Sequence, residues 1–263
     1  TDLEALLGAA RNAGPLDAIP DAPDANDRAS RDEAVPVRVG VFRDSAFTFY
    51  YPDNLESLAD AGAQIVPVSA LDDPHLPEVD LLYVGGGFPE THAAALAGNR
   101  SLIDSVVGAV NDGLPVYAEC GGLIWLSRSV TWQGKTVAMA GVLGVDIVVE
   151  ERPQGHGYTE MVVDDANPFF APGTVLRGHE FHYSRLSQAP EGARTVLDVR
   201  RGKGSWDGRD GLVAGNVFAA WNHLHAGATP EWAPALLAAA RGRARAGHRG
   251  DNSKQAVCGS TTR

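Results

Sequence analysis

The chain has 263 residues, 44% of them hydrophobic and 7% aromatic, a length that suits one large domain or two small ones and a composition ordinary for a globular protein. Its formal net charge of −11 is scattered along the sequence, which excludes nucleic acid as the main partner, because phosphate binding needs a basic face. Apolar runs such as Gly141 to Val149 are far too short to span a bilayer, and no secretory leader opens the chain, so a cytoplasmic protein without membrane contact is expected.

Leu3 to Ala10 predicts a short helix. Gly14 to Ala34 is rich in Pro, Asp and Ala and poor in large apolar residues, so it cannot bury enough surface to order itself. Residues 1–36 therefore read as a linker whose upstream partner is missing, and the chain opens on Thr1 as a fragment or processed product would. Val37 to Phe42 is a short apolar run of the kind that forms a buried parallel strand. Tyr51 to Ala61 has helical spacing. Ala63 to Ser69 and Leu81 to Val84 are further strands, Ser101 to Val110 is a helix closed by Gly113, Leu114 to Glu119 is a fourth strand, and Gly121 to Ser129 is the next helix. Strands alternating with helices imply an α/β fold, a mostly parallel sheet flanked by helices. From Thr131 to about Val213 the pattern turns β-rich, as in Val145 to Val149, Tyr158 to Val163 and Thr195 to Val199, which predicts a largely antiparallel extension. The folded domain is expected over 37–245, and the polar residues 246–263 as a disordered tail.

The strongest chemical signal is Val116-Tyr117-Ala118-Glu119-Cys120-Gly121-Gly122. A strand runs into a turn that opens a helix, with a thiol at the turn. The helix N-terminus favours the thiolate, and the glycines that follow let a carbonyl approach, with the Gly121 amide free to face an oxyanion. This is nucleophile-elbow logic with Cys in place of Ser; the competing reading is a buried structural cysteine beside a helix cap. Gly85-Gly86-Gly87-Phe88-Pro89-Glu90 follows a strand and exposes backbone amides. It lacks the Lys-Ser/Thr of a nucleotide P-loop, and taken alone it is equally a tight turn. A nucleophilic thiol needs a base, and histidines occur in two clusters: Asn222-His223-Leu224-His225, and Gly178-His179-Glu180-Phe181-His182-Tyr183-Ser184. Residue chemistry alone does not rank them. Cys120 and Cys258 stand in unlike contexts and suggest no disulfide framework, and no metal-ligand spacing is present.

These segments, together with Phe42-Arg43-Asp44-Ser45-Ala46-Phe47-Thr48-Phe49-Tyr50-Tyr51-Pro52-Asp53-Asn54-Leu55, resemble in order the amidotransferase domain of cobyrinate (hydrogenobyrinate) a,c-diamide synthases, over about residues 37–240. The resemblance implies a class I glutamine amidotransferase fold with a flavodoxin-like core. It also implies Cys120 as the nucleophile that forms a glutamyl thioester, His223 as the base, and the amides of Gly87 and Gly121 as the oxyanion hole. His225, Glu180 and His179 are possible supporting residues. General class I glutaminases carry a Glu two residues after the base. Here His225 stands there, so a Cys-His dyad is expected. The resemblance makes residues 1–36 the end of an ATP-binding synthetase domain. ATP and Mg2+ are expected in that domain, with no cofactor in this chain, and glutamine and a corrinoid acid are the expected substrates. The alternatives are a glutaminase serving cobyric acid, a nickel tetrapyrrole or a cell-wall lipid intermediate, or a non-catalytic module on the same scaffold.

Overall fold

The structure is a computed structural model that describes residues 2–14 and 36–243. Residues 15–35 of the linker expected over 1–36, the tail from 246 and Cys258 lie outside the described residues. The chain divides into two units, 1–35 and 36–263. The first contains helix α1 (Leu3–Arg11), whose N-cap Asp2 accepts the Ala5 amide at 3.1 Å, which satisfies one of the amides that a helix start leaves unpaired.

The second unit begins with β1 (Val37–Phe42), α2 (Pro52–Asp60), β2 (Ala63–Val68) and β3 (Leu81–Val84). A one-turn 3-10 helix (Pro89–His92) then leads into α3 (Ala93–Gly98) and α4 (Arg100–Asn111), followed by β4 (Val116–Glu119) and α5 (Gly121–Leu126). The β-rich stretch comprises β5 (Ser129–Trp132), β6 (Lys135–Ala138), β7 (Asp146–Val149), β8 (Gly155–Val163), β9 (Val175–His182), β10 (Ser184–Leu186), β11 (Arg194–Arg201) and β12 (Arg209–Ala214). The chain returns through β13 (Val217–Ala220) and β14 (His223–Leu224), and a last helix, α6, occupies residues 232–243.

Among the described residues one sheet has ten strands in the order β14-β9-β8-β11-β12-β13-β4-β3-β1-β2. The run β13-β4-β3-β1-β2 is parallel, and the rest is antiparallel. The antiparallel extension is thus continuous with the parallel half and joins it at β13. A smaller sheet, β10-β7-β5-β6, accompanies it.

Period-two alternation sorts the apolar side chains to two faces. Leu82, Val84, Val116 and Ala118 belong to one core with Leu102, Val106 and Trp125 of the helices and Val130 and Ile147 of the small sheet. Leu81, Tyr83 and Tyr117 belong to the other, with Leu58 of α2 and Trp232, Leu236 and Leu237 of α6. Both faces of the parallel strands are covered, which is why they read as unbroken apolar runs.

Candidate active site

β4 carries the thiol into the centre of the molecule. Cys120 has φ 46° and ψ −96°, a backbone conformation that a side chain bearing a β-carbon rarely adopts. Hydrogen bonds on both sides hold it there. The Cys120 amide donates to Ala220 O at 2.8 Å, and Gly122 N donates to Gly85 O at 3.0 Å. Strain that the surroundings over-determine is characteristic of functional turns.

The glycine loop after β3 lies directly against this turn. A β-carbon on Gly121 would sit 2.9 Å from the Gly87 amide nitrogen, and one on Gly87, at φ +153°, would sit 2.1 Å from Ala46 O. Only glycine fits at either position, and the two glycines pack directly against each other. The segment after β1 fixes the loop. Phe49 and Gly86 exchange backbone hydrogen bonds at 3.1 Å, Phe88 N donates to Ala46 O at 3.0 Å, and Gly85 N donates to the Tyr50 hydroxyl at 2.9 Å.

The register of β13 against β4 places Ala220 opposite Glu119. The chain then leaves β4 and pairs again as β14, with His223 opposite His179 on β9. This crossing carries His223 over Cys120. His223 and Cys120 line the same cavity, and the His223 Nδ1 lies 3.3 Å from Glu119 Oε2. Asn54, at the start of α2, clamps the segment: its Nδ2 donates to Leu224 O at 2.8 Å, and its Oδ1 accepts Ala226 N at 2.7 Å.

Glu119 is buried and fully engaged. Besides His223 it accepts the Tyr83 hydroxyl at 3.2 Å, the Tyr117 hydroxyl at 2.8 Å and the Leu224 amide at 3.2 Å. Burial, and then the Glu119 charge, push both tyrosines well above their ordinary pKa, so their hydroxyls stay protonated and donate. Burial alone would push the His223 imidazole down. The neighbouring Cys120 and Glu119 outweigh burial and raise it to about 10.

The expectation of a Cys-His dyad is corrected here. No Glu follows His223 at the usual spacing, yet a carboxylate orients the imidazole from the residue before the thiol, which strand pairing brings in from 104 positions away. The one sequence signal for it is a charged residue ending a buried strand, a place where such residues seldom stand. His225 points elsewhere: its Nε2 lies 3.5 Å from Asp53, and its ring meets Tyr51 at 4.7 Å between centroids.

His179 stacks on His223 with centroids 5.1 Å apart and bonds the Tyr51 hydroxyl at 2.8 Å. Burial and the neighbouring His223 lower its pKa. Glu180 serves a different region. Its carboxylate accepts Lys203 N at 2.6 Å and Gly204 N at 3.1 Å, and His182 lies 3.6 Å away. Burial opposes its charge, but His182 and those two amides hold its pKa below the ordinary value.

Cys120, His223, Gly87 and Glu90 line a cavity of about 130 Å³, rimmed by the partly exposed rings of Phe49, Phe88, Phe181 and Tyr183. Among the described residues no group of three or more His, Cys, Asp or Glu could hold a metal ion, and no helix is long and apolar enough to cross a membrane.

The chain is 44% identical over 238 residues to a cobyrinate a,c-diamide synthase of Magnetococcus marinus, covering 89% of this chain and 50% of that protein. It is 41% identical to one from Methanothermobacter thermautotrophicus, covering 75% and 43%, and 36% identical to one from Dehalococcoides mccartyi, covering 92% and 52%. The chain thus spans about half the length of the curated relatives it matches. Among solved structures, a glutamine amidotransferase superposes with TM-score 0.57 at 21% identity over 77% of this chain and 98% of that one. PurLQS from Thermotoga maritima superposes with TM-score 0.56 at 20% identity over 72% and 88%. At such identities the likeness is one of fold, and it agrees with the α/β architecture described above. Residues 38–231 match the CobB/CobQ-like glutamine amidotransferase domain, and the chain belongs to that family.

Proposed function

We propose that this chain hydrolyses glutamine at Cys120 and supplies the ammonia to an ATP-dependent synthetase half that amidates the a and c carboxylates of a corrinoid acid. The observation that carries the reading is the placement of Cys120, His223 and Gly87 in the wall of one small cavity, with Glu119 3.3 Å from His223 Nδ1 and Gly121 packed against the Gly87 amide.

In this scheme the Cys120 sulfur attacks the side-chain amide carbon of glutamine. The carbonyl electrons move onto oxygen, where the two glycine amides receive the developing charge. His223 gives its proton to the amide nitrogen, the C–N bond breaks, and ammonia leaves a γ-glutamyl thioester behind. Water then attacks the thioester carbon while His223 takes its proton. Glutamate departs and the sulfur is restored. Glu119 holds the imidazole in place and stabilises its protonated form throughout.

The acceptor is assigned from the relatives, each named a cobyrinate a,c-diamide synthase and each about twice as long as the aligned region. ATP and Mg2+ would act in that other half. The exposed rings of Phe49, Phe88 and Phe181 at the cavity mouth mark the side from which it would receive ammonia. The test is Cys120→Ser in the assembled synthetase. Glutamine-dependent amidation should vanish while amidation from free ammonia continues; glutamine hydrolysis at the wild-type rate would refute the nucleophile.

A further inference from the structure

Glu90 is the one acidic side chain in the wall of the catalytic cavity that the relay does not use. It stands in the 3-10 turn Pro89–His92, directly after the glycine loop. That turn packs against the nucleophile: Pro89 Cδ lies 3.2 Å from where a β-carbon on Gly121 would be. The Glu90 Oε2 atom is buried and has no hydrogen-bond partner. The neighbouring cation-capable side chain does not take it up, because His92 is engaged by Ser45 at 3.0 Å and Thr91 at 2.8 Å. A buried carboxylate oxygen left without a donor is costly, and a fold tolerates it where a ligand supplies the donor.

Glutamine carries such a donor. Its α-ammonium group lies only a few bonds from the amide carbon that reaches Cys120, so a small cavity seating that carbon at the thiol must accommodate the ammonium along its wall. Of the other polar groups of the cavity, Thr48, His179, His182, Tyr183, Ser184 and His223 carry no negative charge to meet it, and Cys120 is the proposed nucleophile that meets the amide carbon instead. Glu119 does, but its oxygens are taken by His223, Tyr83, Tyr117 and Leu224. We infer that Glu90 is the anionic contact for the α-ammonium of glutamine and the residue that rejects amides lacking that group. The inference rests on the glutaminase reading.

The test uses Glu90→Gln, which keeps the shape and removes the charge, in the full chain. Alkylation of Cys120 by iodoacetamide is followed with increasing glutamine, and in parallel with glutaramic acid, the same molecule without its amino group. In the wild type glutamine should protect the thiol far better than the des-amino compound. In the variant the glutamine needed for half-protection should rise about 10- to 100-fold, the range for losing a charge-assisted hydrogen bond, and the preference for glutamine should collapse. Half-protection is read relative to each protein's own alkylation rate without ligand, so a change in the reactivity of the thiol itself does not enter the comparison. Unaltered protection and preference in the variant would overturn it while leaving the glutaminase reading intact. Failure of glutamine to protect the wild-type thiol would sink both together.

Discussion

Replacing Glu119 by Gln separates the relay from a simple Cys-His pair. The substitution keeps side-chain size, and its amide oxygen can still accept the Leu224 amide and a tyrosine hydroxyl, so the buried cluster retains most of its hydrogen bonds. What disappears is the charge 3.3 Å from His223 Nδ1. In the intact site the imidazole is raised from 6.5 to about 10 against the opposing effect of burial. A charge at this range moves a pKa by about 1–3 units, or roughly 1–4 kcal/mol of preference for the protonated ring. His223 must carry a proton to expel ammonia, so kcat/KM should fall on the alkaline side as pH passes about 10. In Glu119→Gln that limb should move down by about 1–3 units, and the rate at neutral pH should drop about 10²-fold or more as the ring loses its fixed orientation. Glu119→Asp, which restores the charge on a shorter stem, should recover part of both effects. The assay is the pH profile of glutamine hydrolysis for the three proteins in the assembled synthetase. A limb that stays in place in Glu119→Gln would show that the carboxylate only fills space.

Two further outcomes follow from the same geometry. His223→Ala should cost about 10²–10⁴-fold in glutamine hydrolysis, whereas His225→Ala should cost little, because His225 faces Asp53 and Tyr51 rather than the thiol; the reverse ranking, measured by steady-state kinetics, would move the base. Asp210 is fully buried and its pKa is pushed from 3.8 up to about 6, chiefly by desolvation, although Ser205, Gly211 and the Trp221 amide favour its charge. Because the folded value is the higher one, the stability it contributes is full below about pH 4 and is lost as pH rises through about 6, about 3 kcal/mol in all. Asp210→Asn should lack that decline, and urea unfolding at the two ends of this window would expose the error if both proteins lost stability equally.

What could be read from the sequence was whatever lies close together along it. The strands around Val39, Leu82 and Tyr117 were legible because burial on both faces leaves unbroken apolar runs. Cys120 was legible because a thiol between a strand and Gly-Gly is a local pattern. Glu119 was not, although it adjoins Cys120, because its role depends on β13 pairing with β4 and on the chain then crossing to β9. Asn54 was hidden for the same reason: its partners Leu224 and Ala226 are 170 and 172 positions away. The helix over 232–243 was not among the predicted elements; its end is held by Arg241 and Arg243, which donate to Ala61 O and Val79 O.

The segment after β1 shows why the family resemblance is spread over several separate motifs. None of its residues from Arg43 to Tyr50 carries the proposed chemistry, yet Asp44 caps the Ala46 and Phe47 amides at 2.8 and 3.2 Å, Ala46 O holds Phe88 N, and Phe49 pairs with Gly86. Each of these contacts fixes the glycine loop that presents the Gly87 amide. An oxyanion donor contributes only if it is already in place when charge develops, and a glycine loop is the element least able to hold itself still. A catalytic turn built from glycines therefore demands a second, rigid segment to brace it. The same brace positions Phe49 against the His223 ring at 4.6 Å between centroids, so the proposed oxyanion donors and the proposed base are referenced to one piece of backbone.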